Sequence, residues 1–251
     1  AAGGPSGSGK AWVGKNTDAI QGIALDIGKT ASPLTLWAMQ IGYTLPELES
    51  ALKVGRPVDA QKHAGLTLKY NMDVDEQVYI GDEQLGLEGL FNSSKVGATN
   101  VNTSWATATP QQIVDDVNLI LNNAWIASAF AVCPDKLLIP PVQFGWLTTR
   151  VVSDAGNISI LEYLKINNLC MSVNGKPLDI QPSKWAVKRG VGNTDRMMCY
   201  TQSENRVRFP LVPLQRTPLE YRDLRQLTTY FGRLGAVEWV YPETAFYADG
   251  L

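Results

Sequence analysis

The chain has 251 residues, of which 45% are hydrophobic and 18% are charged, and its formal net charge is −2. This composition supports a substantial hydrophobic core and excludes an intrinsically disordered protein. The small net charge gives no global reason to expect nucleic-acid binding, and no apolar run approaches the roughly 18 residues that a membrane span needs.

The N-terminal 16 residues are rich in glycine and serine, which predicts a flexible arm. Gly4 to Lys10 has the Gly-x4-Gly-Lys spacing of a phosphate-binding loop. However, Ala11 stands where that loop needs a Ser or Thr for Mg²⁺, and no hydrophobic strand precedes it. A low-complexity arm is the favoured interpretation, and a nucleotide-binding enzyme is a remote alternative. The start at Ala1, without an initiator methionine, predicts a processed product or a segment of a longer protein.

Residues 19–43 predict a long hairpin, with an extended segment from Ile20 to Ile27 and a second strand from Leu34 to Ile41. Because an isolated two-stranded hairpin is marginally stable, we expect it to pack on something outside itself.

Two helices are predicted next. Thr44 and Glu47 form a capping-box pattern at the start of the first helix, which ends at Gly55 and Pro57. The longest helix of the chain begins at Asp59 and runs to about Tyr79. Small and apolar residues recur at helical spacing in this segment and predict its buried stripe: Ala60, Ala64, Thr67, Tyr70, Asn71, Val74 and Val78.

A third helix is predicted from Thr109, Pro110 and Gln112, which form a second capping-box pattern. From about residue 129 to 208 short helices and strands alternate, with one helix over Ser159–Leu169 and a strand over Arg196–Tyr200. Further strands follow towards the C-terminus. This order of elements predicts the α+β class.

The cysteines are Cys133, Cys170 and Cys199, and they are widely spaced. An odd number without a Cys-x-x-Cys pair argues against a disulfide framework and against a zinc site. We therefore expect three buried free thiols and synthesis in a reducing cytoplasm.

No catalytic site, cofactor site or metal site is predicted. His63 is the single histidine and lies within the long helix, with no Ser or Cys elbow motif near it. An acidic cluster lacks the spacing of a Ca²⁺ loop, so we expect it to be solvated or salt-bridged; its members are Asp73, Asp75, Glu76, Asp82 and Glu83.

Arginine is enriched in the final third of the chain. The residues are Arg206, Arg208, Arg216, Arg222, Arg225 and Arg233, and Trp185, Tyr200, Phe209 and Tyr221 are interleaved with them. Such a pattern fits contact with nucleic acid. Ion pairing is the favoured interpretation, because Glu204, Glu220 and Asp223 lie among the arginines.

The segment from Ser32 to Asn92 resembles major capsid proteins of tailed phages and prophages. The resemblance rests on an ordered set of motifs: Tyr43-Thr44-x-x-Glu47, Gly55-Arg56-Pro57-Val58-Asp59, and Gly81-Asp82 followed by Gly86, Gly89 and Leu90. The segment from Pro218 to Gly250 is similar to the C-terminal end of the same family. Together with the intervening chain, the resemblance covers most of the sequence from about residue 20.

The resemblance implies the Hong Kong 97-type capsid fold. Its parts map as an N-terminal arm remnant at 1–18, an extended E-loop hairpin at 19–43 and a peripheral domain with the spine helix at 44–128. The axial domain then covers 129–208, and 209–251 returns to complete the peripheral-domain sheet. Family members usually carry a longer N-terminal arm, which implies proteolytic maturation or a missing segment.

The resemblance also implies a function. The chain is expected to be a non-enzymatic major capsid protein, made in the host cytoplasm, that assembles as hexamers and pentamers into the icosahedral phage head around double-stranded DNA. An encapsulin-like compartment enclosing a cargo enzyme is the alternative. Besides other copies of itself, the implied partners are scaffold, maturation protease, portal and decoration proteins and weakly held packaged DNA, with no membrane. Trp37, Met39 and Ile41 are predicted to pack on the neighbouring subunit.

Overall fold

The computed structural model describes residues 34–54, 58–152 and 157–251. The helices are α1 Leu45–Val54, α2 Val58–Tyr79, α3 Pro110–Ala127, α4 Pro141–Thr149, α5 Ile160–Ile166 and α6 Leu169–Asn174. The strands are β1 Thr35–Thr44, β2 Gly81–Asp82, β3 Leu87–Glu88, β4 Gly97–Asn100, β5 Lys136–Ile139, β6 Asp179–Pro182, β7 Arg196–Tyr200, β8 Val207–Arg208, β9 Leu211–Arg216, β10 Glu220–Arg222, β11 Arg225–Leu234, β12 Glu238–Trp239 and β13 Ala245–Asp249.

The first sheet is built around β11. Strand β1 pairs antiparallel with all ten residues of β11, while β9 and β10 follow one another along the other side of β11. The prediction of a strand leading into the Thr44 cap is confirmed, but its pairing with the C-terminal part of the chain was not predicted. The first half of the predicted hairpin lies outside the described residues.

The second sheet has five strands in the order β4-β13-β7-β5-β6. The outer pairs, β13 with β4 and β5 with β6, are parallel, and the two inner pairs are antiparallel. Helix α3 packs on this sheet, and side chains such as Ile113, Ile120, Leu137 and Met197 are fully buried between them. The main core of the described chain therefore lies between α3 and this sheet.

Two of the predicted domain segments do not follow the division of the chain into these two sheets. Helix α3, placed in the 44–128 segment, packs against β7 and β13 of the five-stranded sheet. The 209–251 segment supplies β9, β10 and β11 to the first sheet and β13 to the second. The chain therefore crosses between the two sheets more than once.

The predicted start of α1 is confirmed in part. The amide of Glu47 donates to the Thr44 hydroxyl at 3.3 Å. The Glu47 carboxylate does not complete the reciprocal capping box; it pairs instead with Lys62 of α2 at 2.7 Å. The ammonium group of Lys62 thus takes the place of the Thr44 N–H as the partner of the Glu47 carboxylate.

The bounds predicted for α2 are confirmed, and its predicted stripe is confirmed in part, since Thr67, Val74 and Val78 are half-buried. Tyr70 is buried, whereas Ala60 and Ala64 are exposed. Leu66 and Gln77 are buried instead, because they share with Tyr70 the face that packs against the first sheet. Small residues do not mark the buried face when a single sheet covers only one side of the helix.

The capping box of α3 is confirmed. Thr109 accepts from the Gln112 amide, and the Gln112 side chain accepts from the Thr109 amide. The helix predicted over 159–169 is confirmed over Ile160–Ile166 with Ser159 as its cap, but it ends earlier than predicted, because Asn168 caps a separate helix. The Asn168 amide group donates to Leu164 in α5, and its oxygen accepts from the Met171 amide in α6.

The expectation of three free thiols is wrong for two of them. Cys133 and Cys170 form a disulfide that links the loop after α3 to α6 across 37 residues of sequence. Docking of α6 beside this loop brings the two thiols together, and the Asn174 side chain donates to the Cys133 carbonyl at 3.1 Å. The expectation is confirmed for Cys199, a free thiol whose pKa is raised by burial.

Across residues 34–54, 58–152 and 157–251, every helix is too short or too polar to cross a membrane.

Candidate subunit interface

The two faces of the β1–β11 ribbon carry different groups of side chains. Successive residues of a strand point to opposite faces, and directly opposed residues of paired strands share a face. Trp37 lies opposite Gly232 and Ile41 opposite Thr228, whereas Leu36 lies opposite Arg233 and Ala38 opposite Phe231. We call the first set the helix face, because it packs on α2, and the second set the outer face.

The helix face holds Trp37 and Ile41 within their own chain. The Trp37 ring lies edge-on to Tyr70, with 5.0 Å between the ring centroids, and its indole N–H donates to Asp73 at 2.9 Å. Ile41 is 6% exposed and is buried with Tyr43 and Leu66. Strand β1 is thus fixed to α2 by one aromatic contact, one hydrogen bond and a small apolar cluster.

Met39, the third residue predicted at a subunit interface, also lies on the helix face but is 36% exposed. It is opposite Tyr230, whose ring packs edge-on against the exposed His63 of α2. The structure therefore places the three predicted residues on one face, and Met39 is the most exposed of them.

Two polar groups at this face have shifted pKa values. Burial acts to raise the pKa of Asp73, but hydrogen bonds from Lys69, at 2.6 Å, and from Trp37 outweigh it and lower the pKa below its ordinary value. The pKa of Tyr43 is raised, mainly by burial and then by its hydrogen bond to Asp59. Asp73 therefore stays ionised and Tyr43 stays neutral across the physiological range.

The outer face carries exposed apolar side chains between polar ones, since exposed Arg233 lies opposite Leu36 and Gln40 donates to Thr229 farther along the ribbon. Leu36 is 64% exposed, Ala38 is exposed beside it, and Phe231 lies half-buried opposite Ala38. Leu227 leans across Gly42, where an added Cβ atom would lie 2.8 Å from its Cδ2 atom. Leu36, Ala38 and Phe231 thus form a small apolar patch on this face. Sequence reasoning missed this face, because β1 alternation alone did not reveal its partner strand.

The end of the same sheet also exposes apolar side chains. Leu219, Tyr221 and Leu224 are 46%, 72% and 65% exposed, around the turn between β10 and β11. Arg222 and Arg225 flank this turn and are exposed as well. The turn thus combines exposed apolar and cationic groups.

The predicted arginine-rich region does not form one surface. Arg208 pairs with Glu238 at 2.7 Å, which supports ion pairing for that residue. The ring of Tyr200 is buried and is therefore closed to base stacking, and Lys184 lies over one face of the half-buried Trp185 ring, 4.5 Å from its centroid. Within the described chain, the acidic cluster is partly salt-bridged as predicted, through Asp73 with Lys69 and Asp75 with Lys184.

Comparisons with known proteins agree with one another. A family model described as major capsid protein matches residues 9–251. The capsid chain of Myoviridae phage XM1 superposes with a TM-score of 0.75 at 16% identity, over 96% of this chain and 81% of that chain. No curated protein sequence matches the chain.

Two further solved structures are similar. A virus-like particle from Pyrococcus furiosus has a TM-score of 0.58 at 16% identity, over 91% of this chain and 81% of that chain. The holo-SrpI encapsulin complex from Synechococcus elongatus PCC 7942 has a TM-score of 0.51 at 14% identity, over 90% and 77%. At these identities the likeness is one of fold.

Proposed function

Because this chain belongs to the major capsid protein family, we propose that many copies of it assemble as hexamers and pentamers into an icosahedral phage head around double-stranded DNA. The α+β capsid fold predicted from the sequence is confirmed by the structural neighbours. The role is non-enzymatic. The interaction that holds the virion together is the burial of surface between subunits.

The observation that carries this proposal is the small apolar patch of Leu36, Ala38 and Phe231 on the outer face of the β1–β11 ribbon. Covering the exposed part of Leu36, which is 64% exposed, contributes about 1–2 kcal/mol. A shell repeats each contact many times, so a small contribution per subunit suffices to stabilise the assembly. A second copy of the chain is the occupant that supplies the same contact to every subunit.

The three residues predicted at the interface have complementary roles in this proposal. Trp37 and Ile41 fix β1 to α2, which makes the ribbon a rigid platform. Neighbouring subunits then contact both faces of the ribbon, through Met39 on the helix face and through Leu36 and Phe231 on the outer face. A rigid platform lowers the entropy cost of association, because fewer side chains must be ordered on binding.

The remaining partners follow from the proposed role. Scaffold, maturation protease, portal and decoration proteins would act on the shell. Packaged DNA would meet exposed cations such as Arg222 and Arg225 only weakly, since the net charge is −2 and each phosphate contact adds salt-sensitive affinity.

An encapsulin-like compartment is the second candidate, and the likeness to the SrpI encapsulin complex favours it. The two functions differ in what the shell contains. The family match favours the phage head.

The test is electron microscopy of the expressed chain, together with Leu36→Glu and the matched control Leu36→Met. We expect closed shells for the original chain and for Leu36→Met, and none for Leu36→Glu. Denaturation of each unassembled chain checks the fold, which should be unchanged because Leu36 is largely exposed.

The outcomes test separately whether the chain assembles into shells and whether the outer face is the interface. If the original chain forms no shells, self-assembly is rejected. If Leu36→Glu forms shells at the original yield, the outer face is not the interface. Nuclease-protected DNA inside the shells supports the phage head, and a co-purifying enzyme supports the compartment.

A further inference from the structure

The Cys133–Cys170 disulfide lies in the wall of an open cleft of about 350 Å³. One side of this cleft is the loop from Ala131 to Asp135, and another is the segment from Asn174 to Leu178 after α6. Cys133 is 2% exposed and Cys170 is 1% exposed, so the sulfurs are shielded from bulk solvent. A reagent that exchanges with this disulfide must therefore first occupy the cleft.

Polar groups in the same cleft lack partners. Arg206 lines it, and among the residues that the structure describes its guanidinium makes no ion pair or hydrogen bond, although its Nη1 atom is buried. The Thr201 hydroxyl, also in the lining, is buried without a partner in the same part of the chain. Unpaired buried donors are costly and are usually satisfied by another group.

The charge around the cleft favours an anion. Lys176 lines it and is exposed, which adds a second cation to that of Arg206. The one carboxylate in the lining is that of Asp135, which accepts a hydrogen bond from the Gln202 amide at 2.8 Å, so the cations outnumber the anion in the lining. A carboxylate-bearing ligand is therefore attracted to Arg206 and Lys176, and an arginine–carboxylate pair is a strong charge-assisted contact.

We propose that this cleft binds small thiols and disulfides that carry carboxylates, such as glutathione and its disulfide. Binding there delivers the ligand's sulfur to the Cys133–Cys170 pair. The cleft is the route by which this bond is made and broken. The inference goes beyond the proposed function and does not depend on it.

The chemistry is thiol–disulfide exchange in two steps. One protein thiolate attacks a sulfur of the small disulfide, which forms a mixed disulfide and releases one small thiolate. The second protein thiolate attacks the protein sulfur of the mixed disulfide and releases the other small thiolate. Overall, the protein thiols lose two electrons and two protons, and the small disulfide gains both as two thiols.

The experiment follows reoxidation of the purified, reduced chain by thiol alkylation and mass spectrometry. Two oxidants are compared, glutathione disulfide, which carries carboxylates, and hydroxyethyl disulfide, which is neutral. Arg206→Gln should slow oxidation by glutathione disulfide about tenfold, the effect of one lost charge-assisted contact. The rate with the neutral oxidant should not change.

Two other variants complete the design. Arg208→Gln removes the same charge two residues away, outside the cleft lining, and should change neither rate. Lys176→Gln is exposed, so it keeps the fold intact if Arg206→Gln does not fold, and it should slow the glutathione reaction about threefold. Equal slowing with both oxidants, or no slowing in either cleft variant, overturns the proposal.

Discussion

The indole N–H of Trp37 donates to the Asp73 carboxylate at 2.9 Å, and this bond fixes the edge strand of the first sheet to the long helix. The two residues are 36 positions apart, and the contact is part-buried. The bond joins β1, which was predicted to contact a neighbouring subunit, to α2, the long helix of the same subunit.

Trp37→Phe should therefore destabilise the subunit. The phenyl ring still contacts Tyr70, but the hydrogen bond to a charged group is lost, which costs roughly 1–2 kcal/mol. Urea denaturation of the unassembled chain at neutral pH measures the change. Phe231→Tyr on the outer face is a control that should leave the unfolding free energy nearly unchanged.

Stability should fall in acid partly through Asp73. Its pKa is lowered in the folded chain from the ordinary value of 3.8. The stabilisation is therefore present above pH 3.8 and is lost as the pH falls through the folded pKa. In Trp37→Phe, NMR titration should show a higher Asp73 pKa, and the acid-dependent loss of stability should shrink. An unchanged titration would contradict the role of this hydrogen bond.

The glycines of the turn after the long helix should differ in their tolerance of alanine. A Cβ atom on Gly81 would lie 2.1 Å from the Leu87 carbonyl oxygen, and one on Gly89 would lie 2.5 Å from the Ile80 backbone. Backbone must move in both cases, so each substitution should cost roughly 3 kcal/mol or more. Gly86 has open space and a φ of 66°, so its cost should be about 1 kcal/mol. Equal thermal unfolding of the three variants would refute this ranking.

Asp249→Asn should be strongly destabilising. The Asp249 carboxylate is 1% exposed, pairs with Arg196 at 2.6 Å and accepts the Val191 amide at 3.1 Å. Removing one partner of a buried pair costs roughly 3–5 kcal/mol. The matched control is Glu238→Gln, which breaks the more exposed pair with Arg208 and should cost no more than about 1 kcal/mol. Chemical denaturation compares the two losses directly.

Reducing the Cys133–Cys170 bond should lower stability by about 3–4 kcal/mol, because the bond closes a loop spanning 37 residues and restricts the unfolded chain. Denaturation with and without a phosphine reductant measures this difference. In Cys133→Ala/Cys170→Ala the reductant should have no effect. A similar response of that double variant would assign the change to something other than this bond.

The family resemblance and much of the local structure could be read from the sequence. The start of α3 depends only on residues that are close in sequence, because Thr109, Pro110 and Gln112 lie within four positions of the chain. The bounds of α2 and of β7 were predicted for the same reason. Helix capping, the helix-starting effect of proline and strand propensity all act over a few residues, so they can be recognised from the sequence.

Tertiary structure decided which surfaces meet. The pairing of β1 with β11, the Leu66 and Gln77 face of α2 and the Cys133–Cys170 bond all join residues far apart in the chain. No periodicity within one segment specifies its partner, since packing energy depends on shape and position in three dimensions. The sequence by itself determined the elements and the capsid family. The fold alone decided that Trp37 and Ile41 are held within the subunit and that Leu36 is left exposed on its outer face.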